Sequence, residues 1–309
     1  MKHAILGAGG VGGLIGGLLA QAGEEVTLIV KPEANAGYPA ILRVERPIGE
    51  FRIAVRHTAR LEHPVDVLWI TVKATQLAAA LRQLPKAPAE SIVPLLNGID
   101  HVDELRARYG SKPVVAGTIA VESERLAAGH IVQHSPFLRV ALSASGETRL
   151  SEVAAKLRAV HCGCDFHSDE LTMLWTKLAF LAPFALTSTA SARDFGGVLH
   201  DTAWMERFRA CMEETCAVAT AAGAKVSSAK GMEIAHILPG AMRSSMQRDL
   251  DAHRMPELDA IAGPIIRGSA RHKISVPVTQ ELVSEIETRW RAIAPPGSGM
   301  LVRRATGTA

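Results

Sequence analysis

At 309 residues, 48% hydrophobic and 21% charged, the chain is long enough for two domains and too apolar to be disordered or fibrous. Lys and Arg number 34 against 31 Asp and Glu, a net +3 that is too small to make nucleic acid or an acidic membrane the main partner. The cysteines at 162, 164, 211 and 216 are too few and too clustered for a disulfide-stapled secreted fold, which points to a reducing, cytoplasmic compartment.

Ala4 to Ala22 carries no charge and ends in Ala20-Gln21-Ala22, a pattern that invites comparison with a secretory leader. The glycines at 7, 9, 10, 12, 13, 16 and 17 argue against it, because a leader or membrane helix is built from good helix formers. A short strand over Ala4-Ile5-Leu6, a turn and a helix from Val11 to Gln21 fit better. Gly7-Ala8-Gly9-Gly10-Val11-Gly12 then reads as G-x-G-x-x-G between strand and helix, the arrangement that seats a pyrophosphate on a helix N-terminus. The next strand, Glu25 to Val30, ends at Lys31, where a dinucleotide fold reads the adenosine ribose. A cation there suits a 2′-phosphate and favours NADP(H) over NAD(H); the alternative is a solvated lysine at a strand end.

Residues 35–63 alternate in short runs and read as hairpin-like strands. Val65 to Val72 is a nearly continuous apolar strand of the kind buried on both faces of a parallel sheet, stopping at Lys73. A helix is expected from Thr75 to Leu84, a strand from Ser91 to Leu96 ending at Asn97-Gly98, and a helix from His101 to Tyr109. Val114 to Val121 reads as a further strand, followed by strands over 129–134 and 137–142, a helix around 152–159 and a strand over 164–167. The glycine turn, Lys31, Lys73 and Asn97 thus fall at carboxyl ends of strands, the edge where open α/β sheets bind ligands. Lys73 as a snorkelling surface residue and Asn97 as a plain turn former remain open.

From Ser168 onward strand signals vanish, and helices are expected over 169–191, 201–222, 230–237, 257–272 and 278–293, with a weakly ordered tail from Pro295. The expected architecture is an α/β Rossmann-type doubly wound domain over residues 1–167 and an all-α domain over 168–309. Within the helical part, Lys177 stands alone in an apolar run, with Leu181 and Ala185 following on its face at four-residue steps. Desolvation would draw such an amine toward neutrality and fit it to protonate a carbonyl oxygen; a packed stem with its head in water is the competing account.

In order and spacing, the glycine turn, Val72-Lys73-Ala74-Thr75-Gln76, Leu96-Asn97-Gly98, Gly129-His130-Ile131, Trp175-Thr176-Lys177-Leu178-Ala179-Phe180, Ser244-Ser245-Met246 and Glu257-Leu258-Asp259 resemble the ketopantoate reductase family, the NADPH-dependent 2-dehydropantoate 2-reductases of pantothenate biosynthesis. The resemblance implies a Rossmann domain and a helical domain with substrate in the cleft between them. It assigns Gly7, Gly9, Gly10, Val11 and Gly12 to the nucleotide, Lys31 to the 2′-phosphate, and Lys73 and Asn97 to the nicotinamide and substrate side. It makes Lys177 the proton donor, Glu257 the holder of a substrate hydroxyl and Ser245 the carboxylate ligand.

Departures accompany the matches. Leu181 and Ala185 stand where family members usually carry substrate-holding asparagines, and Phe195, beside Asp194, falls where a third is found. Fewer hydrogen-bonding groups imply a more apolar pocket, since an unpaired buried polar group costs about 1–3 kcal/mol. The expected activity is NADPH-dependent reduction of a 2-oxo acid or related ketone, a small keto-acid substrate bulkier or less polar than ketopantoate; the alternatives are a genuine ketopantoate reductase that tolerates the lost asparagines and an NADPH-binding sensor without turnover. Cys162 and Cys164 read as buried thiols rather than metal ligands, no metal is expected, and the apolar helical domain could support a homodimer.

Overall fold

The computed structural model describes residues 1–295 and 301–302. Its contacts divide the chain into one unit of Met1–Leu96 with His101–Met173, and another of Asn97–Asp100 with the residues from Leu174 onward.

The first unit runs β1 (Lys2–Leu6), α1 (Gly10–Gln21), β2 (Glu25–Ile29), α2 (Pro32–Asn35), β3 (Ile41–Arg46), β4 (Gly49–Ala54), β5 (Arg56–Thr58) and β6 (Val65–Ile70). Then come α3 (Leu77–Ala80), β7 (Ala89–Pro94), α4 (His101–Tyr109), β8 (Gly117–Ala120), β9 (Ser123–Ala127), β10 (His130–Gln133), β11 (Arg139–Ser143), α5 (Glu147–Ala159) and β12 (Gly163–His167). Five parallel strands form one sheet in the order β5-β2-β1-β6-β7. The apolar run of β6 explains itself there, with Val67, Leu68, Trp69 and Ile70 all fully buried. The chain winds outward from β1 through β2 to β5, then returns to β6 on the other side of β1, so the switch point lies where β1 ends in the glycine turn.

Gly13, Gly16 and Gly17 of α1 follow from its place between the parallel sheet and a second sheet, β4-β3-β10-β9. A Cβ on Gly16 would lie 3.0 Å from Leu28 of the parallel sheet, whereas one on Gly13 would lie 2.5 Å from Ile131 and one on Gly17 3.0 Å from Val44 of the other. Sheets close on both sides of α1, and small residues let them approach.

Two expectations are corrected. The helix expected over 75–84 breaks into 3₁₀ turns at Ala74–Gln76 and Leu81–Gln83 around the four-residue α3. Leu84 precedes Pro85 and is extended, and a segment this short has few hydrogen bonds to sustain one regular helix. The strand expected over 114–121 is not one element. Val114 makes a single parallel bridge to Ile92, and only Gly117–Ala120 is a strand, antiparallel to β11 in the sheet β12-β11-β8.

In the second unit the described residues form α6 (Glu170–Ser191, which begins in the first unit), α7 (Phe195–Leu199), α8 (Thr202–Ala221), α9 (Ser228–Ile237), α10 (Ser245–Asp251), α11 (Leu258–His272) and α12 (Pro277–Ile293). Helix α6 is long and apolar enough to cross a membrane, yet its apolar stretch is mostly buried within the protein, which marks a core helix. Leu178, Ala182 and Leu186 of α6 pack with Ile261 and Ile265 of α11 and Ile286 of α12. Caps set the starts: Asp194 accepts from Gly197 N, Asp201 from Ala203 N and Trp204 N, and Glu214 from the N–H groups of Val278 and Thr279. Most of the tail expected to be weakly ordered lies outside the described residues. Leu301 and Val302 are described and are buried, donating their N–H groups to Glu287.

Candidate active site

Each glycine of the first turn meets a different steric demand. Gly7 has φ +103, a backbone that side chains rarely adopt, and a Cβ there would come within 2.6 Å of Val72. A Cβ on Gly12 would overlap Gly7 O and Thr71 Oγ1, so the third glycine lets α1 start hard against the strand ends. Thr71 Oγ1 donates to both Leu6 O and Gly7 O, closing the turn from β6. Sequence reasoning passed over Thr71, although it is the first polar residue after a buried strand. At Gly9, by contrast, a Cβ would meet nothing within 4 Å. The middle glycine therefore faces open space at the N-terminus of α1, where no side chain caps the helix and no acidic residue stands in the first turn. Uncapped N–H groups beside a cradle without side chains fit a pyrophosphate. Gly10 approaches β9, with Ser123 O 2.5 Å from its would-be Cβ, and Val11 is partly buried against the core.

Lys31 is exposed between β2 and Pro32, and Lys73 is partly buried in the turn after β6. Gln83 ties this edge together, its Nε2 donating to Val30 O at 2.9 Å and to Ala59 O at 3.0 Å.

In the second unit three residues far apart in sequence share one hydrogen-bonded chain. Lys177 Nζ donates to Asn97 Oδ1 at 3.1 Å, and Asn97 Nδ2 donates to Glu257 Oε2 at 3.2 Å. An ammonium can only donate and a carboxylate only accept, so this is the one orientation of the Asn97 amide that serves both. Glu257 immediately precedes α11 without capping it with its side chain, and its buried carboxylate accepts from Asn97. Burial pulls the Lys177 amine down to about 8 against the opposing attraction of Glu257. An amine so placed is a stronger acid than a free lysine and is aligned by a fixed acceptor.

The remaining positions divide. Leu181, one turn beyond Lys177, is partly exposed, whereas Ala185 is sealed in the helical core. Phe195 is fully buried with its ring 5.0 Å from that of Phe184 and 5.5 Å from that of Phe208. Ser245 is exposed in the first turn of α10, and no hydrogen bond among the described residues joins it to the Asn97 group. Its neighbour Ser244 is the buried cap of that helix.

All four cysteines are free and buried, and burial pushes the thiols of Cys162, Cys164 and Cys211 up to about 12. Among the described residues no group of three or more His, Cys, Asp or Glu side chains is placed to hold a metal ion.

The family model for ketopantoate reductase PanE/ApbA matches residues 3–145, and the model for the C-terminal part of that family matches residues 169–289. A 2-dehydropantoate 2-reductase of Caulobacter vibrioides is 28% identical over 293 residues, covering 91% of this chain and 96% of its own. The crystal structure of a PanE/ApbA family ketopantoate reductase from Ralstonia eutropha JMP134 superposes with a TM-score of 0.83 at 27% identity, covering 94% of this chain and 99% of its own. The ternary structure of D-mandelate dehydrogenase with NADH and anilino(oxo)acetate shares the fold, with a TM-score of 0.85 at 20% identity over 95% of this chain and 99% of its own.

Proposed function

The chain belongs to the ketopantoate reductase family of NAD(P)-dependent oxidoreductases acting on CH-OH groups, and from that premise we propose that it reduces a 2-oxo acid less polar than ketopantoate, using NADPH. The observation that carries this reading is Lys177, whose ammonium is held by Asn97 and whose pKa is drawn down to about 8.

Gly7, Gly9 and Gly12 give the pyrophosphate a cradle free of side chains at the start of α1, and Lys31 pairs with the 2′-phosphate that distinguishes NADPH. The nicotinamide nucleotide, when bound, would supply the hydride for the carbonyl carbon. Lys177 gives the proton on Nζ to the carbonyl oxygen, so the ketone becomes a hydroxyl and the lysine a neutral amine, which solvent then reprotonates. Asn97 holds Nζ in line throughout, because its Oδ1 accepts from the ammonium before transfer and from the amine after it. Glu257 steadies the protonated state and offers a carboxylate to a substrate hydroxyl. Ser245, exposed on α10, is assigned the substrate carboxylate, and Leu181 supplies an apolar wall where an amide would have favoured a polyhydroxylated substrate.

The test is steady-state NADPH oxidation with ketopantoate and a panel of branched and aromatic 2-oxo acids. Higher kcat/KM for the apolar members supports the reading, and a preference for ketopantoate removes its substrate half. Tight NADPH binding without oxidation by any 2-oxo acid would make the protein a nucleotide sensor.

A further inference from the structure

The short loop that carries Asn97 is gripped twice by the helix that follows Glu257. Gly98 has φ +80, and a Cβ on it would overlap Ala260 O, so the loop backbone lies directly against the first turn of α11. Two residues further on, Asp100 accepts from Arg267 Nη2, while Arg267 Nη1 donates to Asp259 Oδ1 at 2.7 Å. Asp259, Gly263 and Arg267 follow at four-residue steps on one face of α11. A Cβ on Gly263 would overlap the Arg267 guanidinium and lie 2.6 Å from Asp259 Oδ1. The glycine therefore vacates the space in which Arg267 lies back along the helix to reach Asp259.

We propose that Arg267 is a positioning residue: by joining Asp100 to Asp259 it clamps the Asn97–Asp100 loop onto α11 and keeps the Asn97 amide between Lys177 and Glu257. An isolated exposed ion pair would contribute little. This one differs in two respects. A single planar fork spans two carboxylates from separate segments, and the Arg267 side chain is only 26% exposed. Its removal would leave Asp100 and Asp259 facing each other without the cation that joins them. The loop would then lift at its Asp100 end and draw Asn97 away from Nζ. The kinetic consequence rests on Lys177 being the proton donor, whereas the effect on the lysine itself does not.

The experiment compares Arg267→Ala, Arg267→Lys, Gly263→Ala and Asp100→Asn with the parent protein. Turnover and KM are measured with NADPH and the best 2-oxo acid, and NADPH affinity by fluorescence. The Lys177 titration is followed by NMR of protein labelled with [ε-13C]lysine and assigned with Lys177→Met. Arg267→Ala should lower kcat roughly tenfold or more, by the sensitivity of catalysis to misplacement, with NADPH affinity unchanged. Its Lys177 should titrate at lower pH, because a hydrogen bond to the charged form has been lost. Arg267→Lys, which keeps a charge but not the fork, should recover part of both effects, and Gly263→Ala should reproduce them in milder form. Should Arg267→Ala not fold, Asp100→Asn, at the exposed end of the loop, reads the same contact. Folded variants with unchanged kcat and an unchanged Lys177 titration would overturn the proposal, as would a loss of thermal stability alone. If the parent protein reduces no 2-oxo acid, the functional reading fails and the lysine titration still decides whether Arg267 positions Asn97.

Discussion

Lys177 and Asn97, separated by 80 residues, meet through a single 3.1 Å hydrogen bond in which the ammonium donates to the amide oxygen. Asn97 belongs by its contacts to the helical unit although it follows the last strand of the parallel sheet, and its chain connection is what brings an amide to that lysine. In the proposed role of general acid Lys177 must be protonated to work, and burial lowers it from 10.5 to about 8. Turnover should therefore be flat below pH 8 and fall about tenfold per unit above it. Lys177→Met should cost about 10²–10⁴-fold in kcat while leaving NADPH affinity intact. A kcat profile level to pH 10, or a Lys177→Met enzyme of normal turnover, removes the acid role.

Gly9 and Gly12 make a matched pair for separating folding from binding. Gly12→Ala forces a Cβ into Gly7 O and Thr71 Oγ1 and should lower stability by at least the 1–3 kcal/mol typical of overpacking, because the obstruction includes backbone. Gly9 has φ −82, which alanine adopts freely, and open space around its would-be Cβ. Gly9→Ala should keep the parent melting temperature yet weaken nucleotide binding at least tenfold, since the methyl fills the cradle. Equal nucleotide affinity in Gly9→Ala and the parent would move the pyrophosphate elsewhere.

The proposed preference for NADPH over NADH rests on Lys31. The lysine is exposed, and Gln83 holds the preceding carbonyl, Val30 O, so the strand end is fixed while the charge stays available. Lys31→Glu should raise KM for NADPH more than tenfold through repulsion of the 2′-phosphate and leave KM for NADH level or lower. Parallel changes in both constants would show that Lys31 does not read the phosphate.

Much of this was legible because it is local. The glycine spacing, the buried run of β6 and the solitary Lys177 are each written within a dozen residues, and the turn, strand and helix that hold them are found where the pattern places them. What escaped depends on distant partners. Nothing near Asn97 announces Glu257 Oε2, and nothing near Arg267 announces Asp100 on the loop it grips. Helices α7 and α10 are too short for a helical period to emerge, and caps at Asp194 and Ser244 define them instead. The aromatic cluster around Phe195 likewise needs three segments to be seen.

Buried His3 in the first unit makes stability depend on pH. Trp69 Nε1 donates to His3 Nδ1 at 3.1 Å, so Nδ1 carries no proton and Nε2–H is left to face Glu24 Oε2 at 3.2 Å. Protonating Nδ1 would break the tryptophan bond, and burial holds the imidazole down from 6.5 to about 4 despite the pull of Glu24. The unfolded chain takes up this proton near pH 6.5 and the folded chain only near 4, so stability falls as pH drops between those values and levels off below. At Glu24 burial works upward, but hydrogen bonds from Lys156 and the amino group of Met1 override it and bring the carboxyl from 4.5 to about 2. Its contribution is complete above 4.5 and fades as pH falls toward 2, a second and lower window. Urea unfolding from pH 7 to 4.5 should show ΔG declining with a slope approaching about 1.4 kcal/mol per unit, the limit for one proton. His3→Gln keeps an acceptor for Trp69 without a titrating ring and should flatten that slope, whatever its stability at pH 7. The same slope in His3→Gln and in the parent would assign the acid sensitivity to other groups.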